Sequence, residues 1–181
     1  MANPPLKKMN LQHYSFTAEA YYEREDNRDR WVLDAPYQRG RLWTEEQSRN
    51  LIKSLLQGIP IGIIFVNNRG RFEASDYVVD GKQRIGAIRD FVAGRLAVPS
   101  EWFEKLDLES TSEMVSYKDL SRRGQRHFDS CSVATAESKL PDLKGEAELY
   151  LLVNFGGVAQ TEIDRERARE ITAEPERDLL G

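Results

Sequence analysis

One run of nine residues constrains this chain more than any other stretch. Tyr77-Val78-Val79-Asp80-Gly81-Lys82-Gln83-Arg84-Ile85 passes from a β-branched apolar run, through an Asp-Gly break, into a segment where Ile85, Ile88 and Val92 recur at helical spacing. It reads as strand, tight glycine turn and helix, the helix running from about Lys82 to Ala93 and stopped by Gly94. Free N–H groups at a helix start point outward, and the helix dipole adds about +0.5 charge there, so such a terminus accepts an anion readily. Lys82 and Arg84 put two cations into this first turn, where the positive helix end repels them. A bound phosphate would offset that cost. The plainer reading has Asp80 as N-cap, Gly81 as the turn, and both cations in solvent; the residues alone leave the two readings open. The turn is not a Walker A loop: Gln83 follows Gly81-Lys82 where Ser or Thr is required, and Asp76 stands at the place of the first glycine.

The flanking sequence supplies further helices and strands. Pro36 keeps the approach to Tyr37 extended. Thr44-Glu45-Glu46-Gln47 has the capping-box pattern, Leu51, Ile52, Leu55 and Leu56 form one apolar stripe, and Gly58 with Pro60 ends the helix. Residues 61–66 read as a buried strand, 67–70 as a turn, 71–79 as a second strand and 96–98 as a short third one. A helix is expected to start near Ser121. Another spans 146–153 with Leu149, Leu152 and Val153 inward, and ends at Asn154-Phe155-Gly156-Gly157. Thr161 with Asp164 opens a last, charged helix. Residues 1–30 show no clear period. The organisation expected is an N-terminal extension over 1–30, one α+β domain over 31–170, and a frayed tail over 171–181.

Composition narrows the class. A chain of 181 residues, 40% hydrophobic, can build a core without disulfide staples, and its single Cys131 has no intrachain partner. That fits a reducing cytoplasm, and the N-terminus has no apolar signal core, so a cytoplasmic protein without membrane partners is expected. A net charge of −4 argues against a general nucleic-acid coat. The charge is uneven, however. From Tyr37 to Arg95 there are 10 basic and 6 acidic residues, so that segment is +4 and the rest of the chain is −8. This split is consistent with one basic anion pocket on an acidic domain, and equally with ordinary solvated charge.

Three segments together carry a family resemblance. APYQRGRLWTEEQSRNLIKSLLQGIPIGIIFV contains Tyr37-Gln38-Arg39 before a capped helix, YVVDGKQRIGAIRDFVAGRL contains Asp80-Gly81-Lys82-Gln83-Arg84, and ELYLLVNFGGVAQTEIDRERA spans residues 148–168. In this order they resemble the N-terminal domain of GmrSD-type restriction enzymes, within the ParB/sulfiredoxin-like superfamily, over roughly residues 31–170. The resemblance implies a mixed sheet with flanking helices. It further implies a domain that binds and hydrolyses nucleoside triphosphates near an Asp-Gly-Gln-Gln-Arg turn, coupled in related defence proteins to recognising or cutting modified foreign DNA.

Carried over by position, Asp80, Gln83 and Arg84 are the catalytic candidates, and Gln38, Arg39, Gly81, Lys82 and Arg84 the nucleotide-binding ones. The planar forks of Arg39 and Arg84 suit phosphate. Asp80 is the candidate Mg²⁺ ligand, or orients a water, because one carboxylate plus substrate phosphates is a common Mg²⁺ arrangement; its alternative is a cap alone. Lys82 departs from the family pattern: replacing the first Gln, it keeps a donor, adds charge and loses an acceptor. Full-length relatives usually append an HNH-type nuclease, and neither His13 nor His127 sits in an HNH frame, so a separate nuclease chain is the partner to expect.

Three functions are compatible with these residues. The first is an NTPase domain that acts on DNA or is regulated by it. The second is a non-catalytic DNA- or nucleotide-binding module serving as recognition subunit, inhibitor or decoy. The third is a ParB-type nicking nuclease. A homo-oligomer stays open. Arg122, Arg123 and Arg126 form a basic cluster that reads either as a weak DNA contact or as a solvated helix face. Cys131 reads as structural. Trp31 and Trp43, which flank the Tyr37-Gln38-Arg39 loop, read as its core anchors, with base stacking as the alternative.

Overall fold

The computed structural model describes residues 8–22, 31–37, 43–69, 76–155 and 170. Its strands are Gln12–Thr17 (β1), Trp31–Val32 (β2), Ile64–Asn68 (β3), Asp76–Asp80 (β4), Val98–Pro99 (β5), Met114–Val115 (β6) and Ser132–Ser138 (β7). Its α-helices are Glu45–Leu56 (α1), Lys82–Val92 (α2), Arg122–Asp129 (α3) and Leu143–Phe155 (α4). Five strands form one mixed sheet in the order β1-β7-β3-β4-β2. The outer pair β1–β7 and the inner pair β3–β4 are antiparallel, whereas β3–β7 and β2–β4 are parallel. β5 and β6 make a separate ribbon in which Val98 faces Val115. The chain is an α+β fold, as its element pattern predicts.

Period-two alternation decides where the helices go. Ile64 and Val66 of β3 and Val78 of β4 pack with Leu51, Ile52 and Leu55 of α1, Ile85, Ile88 and Phe91 of α2, and Phe128 of α3. The intervening Phe65 and Val79 pack on the other face with Tyr37 and with Ala147, Leu149 and Tyr150 of α4. Helices thus cover both faces, and burial of each large apolar side chain contributes roughly 1.5–3 kcal/mol. α1 starts as its sequence predicts: Thr44 Oγ1 accepts from Gln47 N at 3.2 Å, and Thr44 N donates to Gln47 Oε1 at 2.9 Å. Ser121 caps α3 by accepting from Gly124 N at 3.3 Å. Trp31 is buried, stacks on Tyr21 at 4.8 Å and donates from Nε1 to Ala20 O at 2.7 Å. Among the described residues no helix is long and apolar enough to cross a membrane.

Several elements differ from the sequence expectation. β1 falls in the stretch without a clear period, because it is an edge strand with five of its six residues exposed. β7 has no counterpart in the expectation. Its buried positions are Val133, Thr135, Ala136 and Ser138, too small and polar to write an apolar alternation. β3 begins at Ile64 rather than residue 61, since Gly62 at φ 85 leaves the extended region. It continues through Asn67 and Asn68, whose residue types suggest a turn. Asn67 tolerates burial because Leu140 N and Ser138 Oγ donate to its Oδ1 at 2.7 and 2.8 Å, while its Nδ2 donates to Leu140 O and Glu146 Oε1 at 3.0 and 2.8 Å. On α4, Leu152 is 61% exposed rather than inward, because the buried stripe follows Glu146, Ala147 and Tyr150. The expected strand residues 71–75, Gly156-Gly157 and the helix opened by Thr161 lie outside the described residues.

Candidate functional site

The strand–turn–helix is present as β4, Gly81 and α2. Gly81 adopts φ 111, and a Cβ there would lie 3.0 Å from Ile64 Cγ1, so both backbone sign and space require glycine. α2 therefore begins with no side-chain cap, unlike α1 and α3. No acidic residue occupies its first turn, which carries Lys82 and Arg84 instead.

The reading of Asp80 as N-cap is corrected by this geometry. Gly81 holds the cap position, and Asp80, the last residue of β4, turns its carboxylate to Arg84: Arg84 Nη2 donates to Asp80 Oδ2. The same guanidinium donates from Nη1 to Ile61 O at 3.3 Å. A Cβ on Gly62 would sit 2.6 Å from Nη1, so the loop before β3 is shaped around Arg84. Arg84 is accordingly not solvated; its side chain is 16% exposed and that of Asp80 24%. Lys82 donates to Asp34 Oδ1 at 2.9 Å. That hydrogen bond, with the charge behind it, holds the Asp34 carboxyl below the usual range, but Asp34 is 92% exposed and the pair is weak. Trp43 N donates to Gln83 Oε1 at 3.4 Å, which ties the residue after the 38–42 segment to the turn. Gln38 and Arg39 themselves lie outside the described residues.

The donor set does not suit a resident Mg²⁺. Asp80 is one carboxylate already neutralised by a guanidinium, and no group of three His, Cys, Asp or Glu side chains suited to a metal exists among the described residues. What the turn can do is present a held guanidinium, an ammonium and uncapped helix N–H groups to an anion.

A second cluster has no signature in the sequence. Glu146, fully buried in the first turn of α4, receives Arg69 Nε at 2.7 Å on one oxygen and Arg69 Nη2 at 2.9 Å on the other. Asn67 Nδ2 and Tyr37 OH also donate to it, at 2.8 and 3.5 Å. The Arg69 guanidinium lies 3.6 Å from the Tyr77 ring centroid. Tyr37 is fully buried, and burial together with the Glu146 charge raises its phenol well above the ordinary value. Its partners are distant in sequence, so no local signal marks them.

The α3 arginines stand apart from the turn. Arg122, Arg123 and Arg126 are exposed, and Arg123 pairs with Glu104 at 2.5 Å and approaches buried Asp107 at 3.2 Å. With Lys53 and Trp102, Arg123 and His127 line a cleft of about 370 Å³ that shares no residue with Asp80–Arg84.

A family model described as the GmrSD restriction endonuclease, N-terminal domain, matches residues 19–172. No curated protein and no solved structure matches the chain.

Proposed function

The chain belongs to the GmrSD restriction endonuclease N-terminal domain family, and from that premise we propose that it binds a nucleoside triphosphate at the start of α2 and couples its hydrolysis to recognition or cleavage of DNA by a restriction system. One observation supports this above the others: α2 starts uncapped on a left-handed glycine with Arg84 held beside it by Asp80 and Ile61 O. An anion there meets outward N–H groups, the positive end of the dipole and a guanidinium already oriented. Arg84 and Lys82 take phosphate oxygens, and Arg39, carried over from the family motif, is a third phosphate-binding candidate. Lys82 leaves exposed Asp34 at small cost. Asp80 orients Arg84, and Gln83, steadied by Trp43 N, faces the substrate. Mg²⁺ belongs to this reading only as a companion of the triphosphate. DNA and a separate nuclease chain are the partners it implies.

Binding without turnover is the second reading, favoured by one fact: the carboxylate at the end of β4 is engaged by Arg84 and is not poised as a base. Phosphate release from each NTP with Mg²⁺, with and without DNA, separates the two. Turnover abolished in both Arg84→Ala and Asp80→Ala supports the hydrolase. Nucleotide binding without phosphate release, weakened by Arg84→Ala, supports the module. Loss of supercoiling in a plasmid without nucleotide would point to nicking instead.

A further inference from the structure

We propose that the cleft between α1, α3 and residues 101–107 binds a nucleobase carrying an exocyclic amino group, with the base stacked on Trp102 and its amino group donating to Asp107. This site is independent of the Asp80–Arg84 turn, with which the cleft shares no residue. Among the described residues, one buried side-chain polar atom has no hydrogen-bond partner, and it is Asp107 Oδ1. The Asp107 side chain is 5% exposed and lines the cleft. Arg123 Nε, 3.2 Å away, balances its charge, but the contact is not a hydrogen bond, and Nη2 of the same guanidinium donates to Glu104 instead. The backbone holds Asp107 in this place. Its N–H donates to Glu104 O and its carbonyl accepts from Ser121 N, each at 2.8 Å. A Cβ on Gly124 would lie 2.4 Å from Asp107 O, so glycine lets the start of α3 close on this residue. A buried acceptor so fixed calls for a donor.

The walls select among donors. Trp102 and Phe103 are partly buried aromatic side chains, and the Lys53 ammonium sits over the Trp102 ring, 5.4 Å from its centroid. A cationic guest would meet Lys53 at the indole and Arg123 at the carboxylate. A neutral planar ring meets neither repulsion: its π-face stacks on an aromatic side chain, and an amino N–H answers the carboxylate. Cytosine, adenine and guanine carry that group, whereas thymine offers only an imino N–H between two carbonyls that a carboxylate repels. The cleft volume of about 370 Å³ lies within the ~300–1,000 Å³ usual for small-molecule sites. Arg122 and Arg126 are exposed on the stripe of α3 next to Arg123 and His127, where they offer charge to a phosphate attached to the base.

The test uses the full chain and takes deoxynucleosides as first probes, because they lack the phosphate that the Asp80–Arg84 turn would hold. Calorimetric titration is expected to show at least one of deoxycytidine, deoxyadenosine and deoxyguanosine binding about tenfold or more tightly than thymidine. Asp107→Asn should bring that ratio to within about twofold, and Trp102→Ala should weaken the preferred base about tenfold. The matching 5′-monophosphate and a single strand of about six residues of the same base then separate two sources of the ligand. A strand held about tenfold more tightly than the monophosphate, with salt-dependent affinity, assigns the base to DNA, and equal affinities assign it to a free nucleotide; both outcomes support the site. No saturable binding below about 2 mM, a wild-type ratio near one, or a ratio unmoved by Asp107→Asn overturns it. If Asp107→Asn does not fold, the wild-type ratio and Trp102→Ala decide, and an affinity unchanged by Trp102→Ala sinks the proposal.

Discussion

Arg84 and Asp80 are bound across the first turn of α2, so the residue proposed to hold an anion also fastens strand to helix. Its second bond, to Ile61 O, fastens the loop before β3 to the same point. Arg84→Ala leaves a partly buried carboxylate and a carbonyl without this donor, and should cost about 1–3 kcal/mol in denaturant unfolding. Arg84→Lys keeps the charge but cannot reach two acceptors with a planar fork, so it should recover only part of that loss. Equal stability for all three proteins would show that the pair is solvent-exchanged and not built in.

Gly62 and Gly86 make a matched pair of opposite sign. Gly62→Ala adds a Cβ 2.6 Å from Arg84 Nη1 on a residue at φ 85, so it should destabilise by roughly 1–2 kcal/mol and push Arg84 off its site. Gly86 is inside α2, and a Cβ there meets nothing within 4 Å, so Gly86→Ala should stabilise by about 0.5–1 kcal/mol through helix propensity. Thermal unfolding of both variants reads the signs directly. Nucleotide affinity should drop for Gly62→Ala and hold for Gly86→Ala.

Local signals make α1 and α2 legible in the amino-acid sequence. A capping box, an apolar stripe and a glycine break each act within one turn of the residue that carries them. β7 is not legible there, because a strand inside the sheet needs only small residues where neighbours crowd it. Val133, Thr135, Ala136 and Ser138 provide that, and its parallel pairing with β3 joins residues some 70 positions apart. The site divides the same way. Asp80 to Arg84 stand out as a contiguous motif, and the family match agrees with the resemblance read from them. What the motif hides is the use of each residue: Asp80 faces Arg84 rather than the helix N–H groups. The Glu146 hub is invisible because its partners Tyr37, Asn67 and Arg69 meet only after the sheet forms.

The three arginines of α3 should separate by role. Arg123→Ala strips the counter-charge from buried Asp107. It should lower the denaturant midpoint, and by more than truncation of either neighbouring arginine, because Asp107 is buried. Arg122→Ala and Arg126→Ala touch an exposed face and should change stability by no more than about 0.5 kcal/mol. If this face meets DNA, each of the latter two should lower the slope of log affinity against log salt by about 0.9 per lost phosphate contact. A slope unchanged in both would assign the cluster to solvent.

Cys131 provides a pH test of its structural assignment. Its Sγ donates to His127 O at 3.4 Å, and burial first, then the nearby Asp129 charge, pushes the thiol up to about 11. At pH 8 only about one molecule in a thousand then carries the thiolate, so iodoacetamide should alkylate Cys131 on the order of a hundredfold more slowly than an ordinary thiol. The rate should climb about tenfold per pH unit until near pH 11. The sign for stability follows from the same shift. The folded thiol holds its proton more tightly than the unfolded one, so its contribution is complete below the ordinary thiol value and is lost as pH rises through about 11. Cys131→Ala should therefore flatten the stability profile between about pH 8.5 and 11 relative to wild type. Fast alkylation at pH 7 would instead mark Cys131 as a reactive thiol and end its structural assignment.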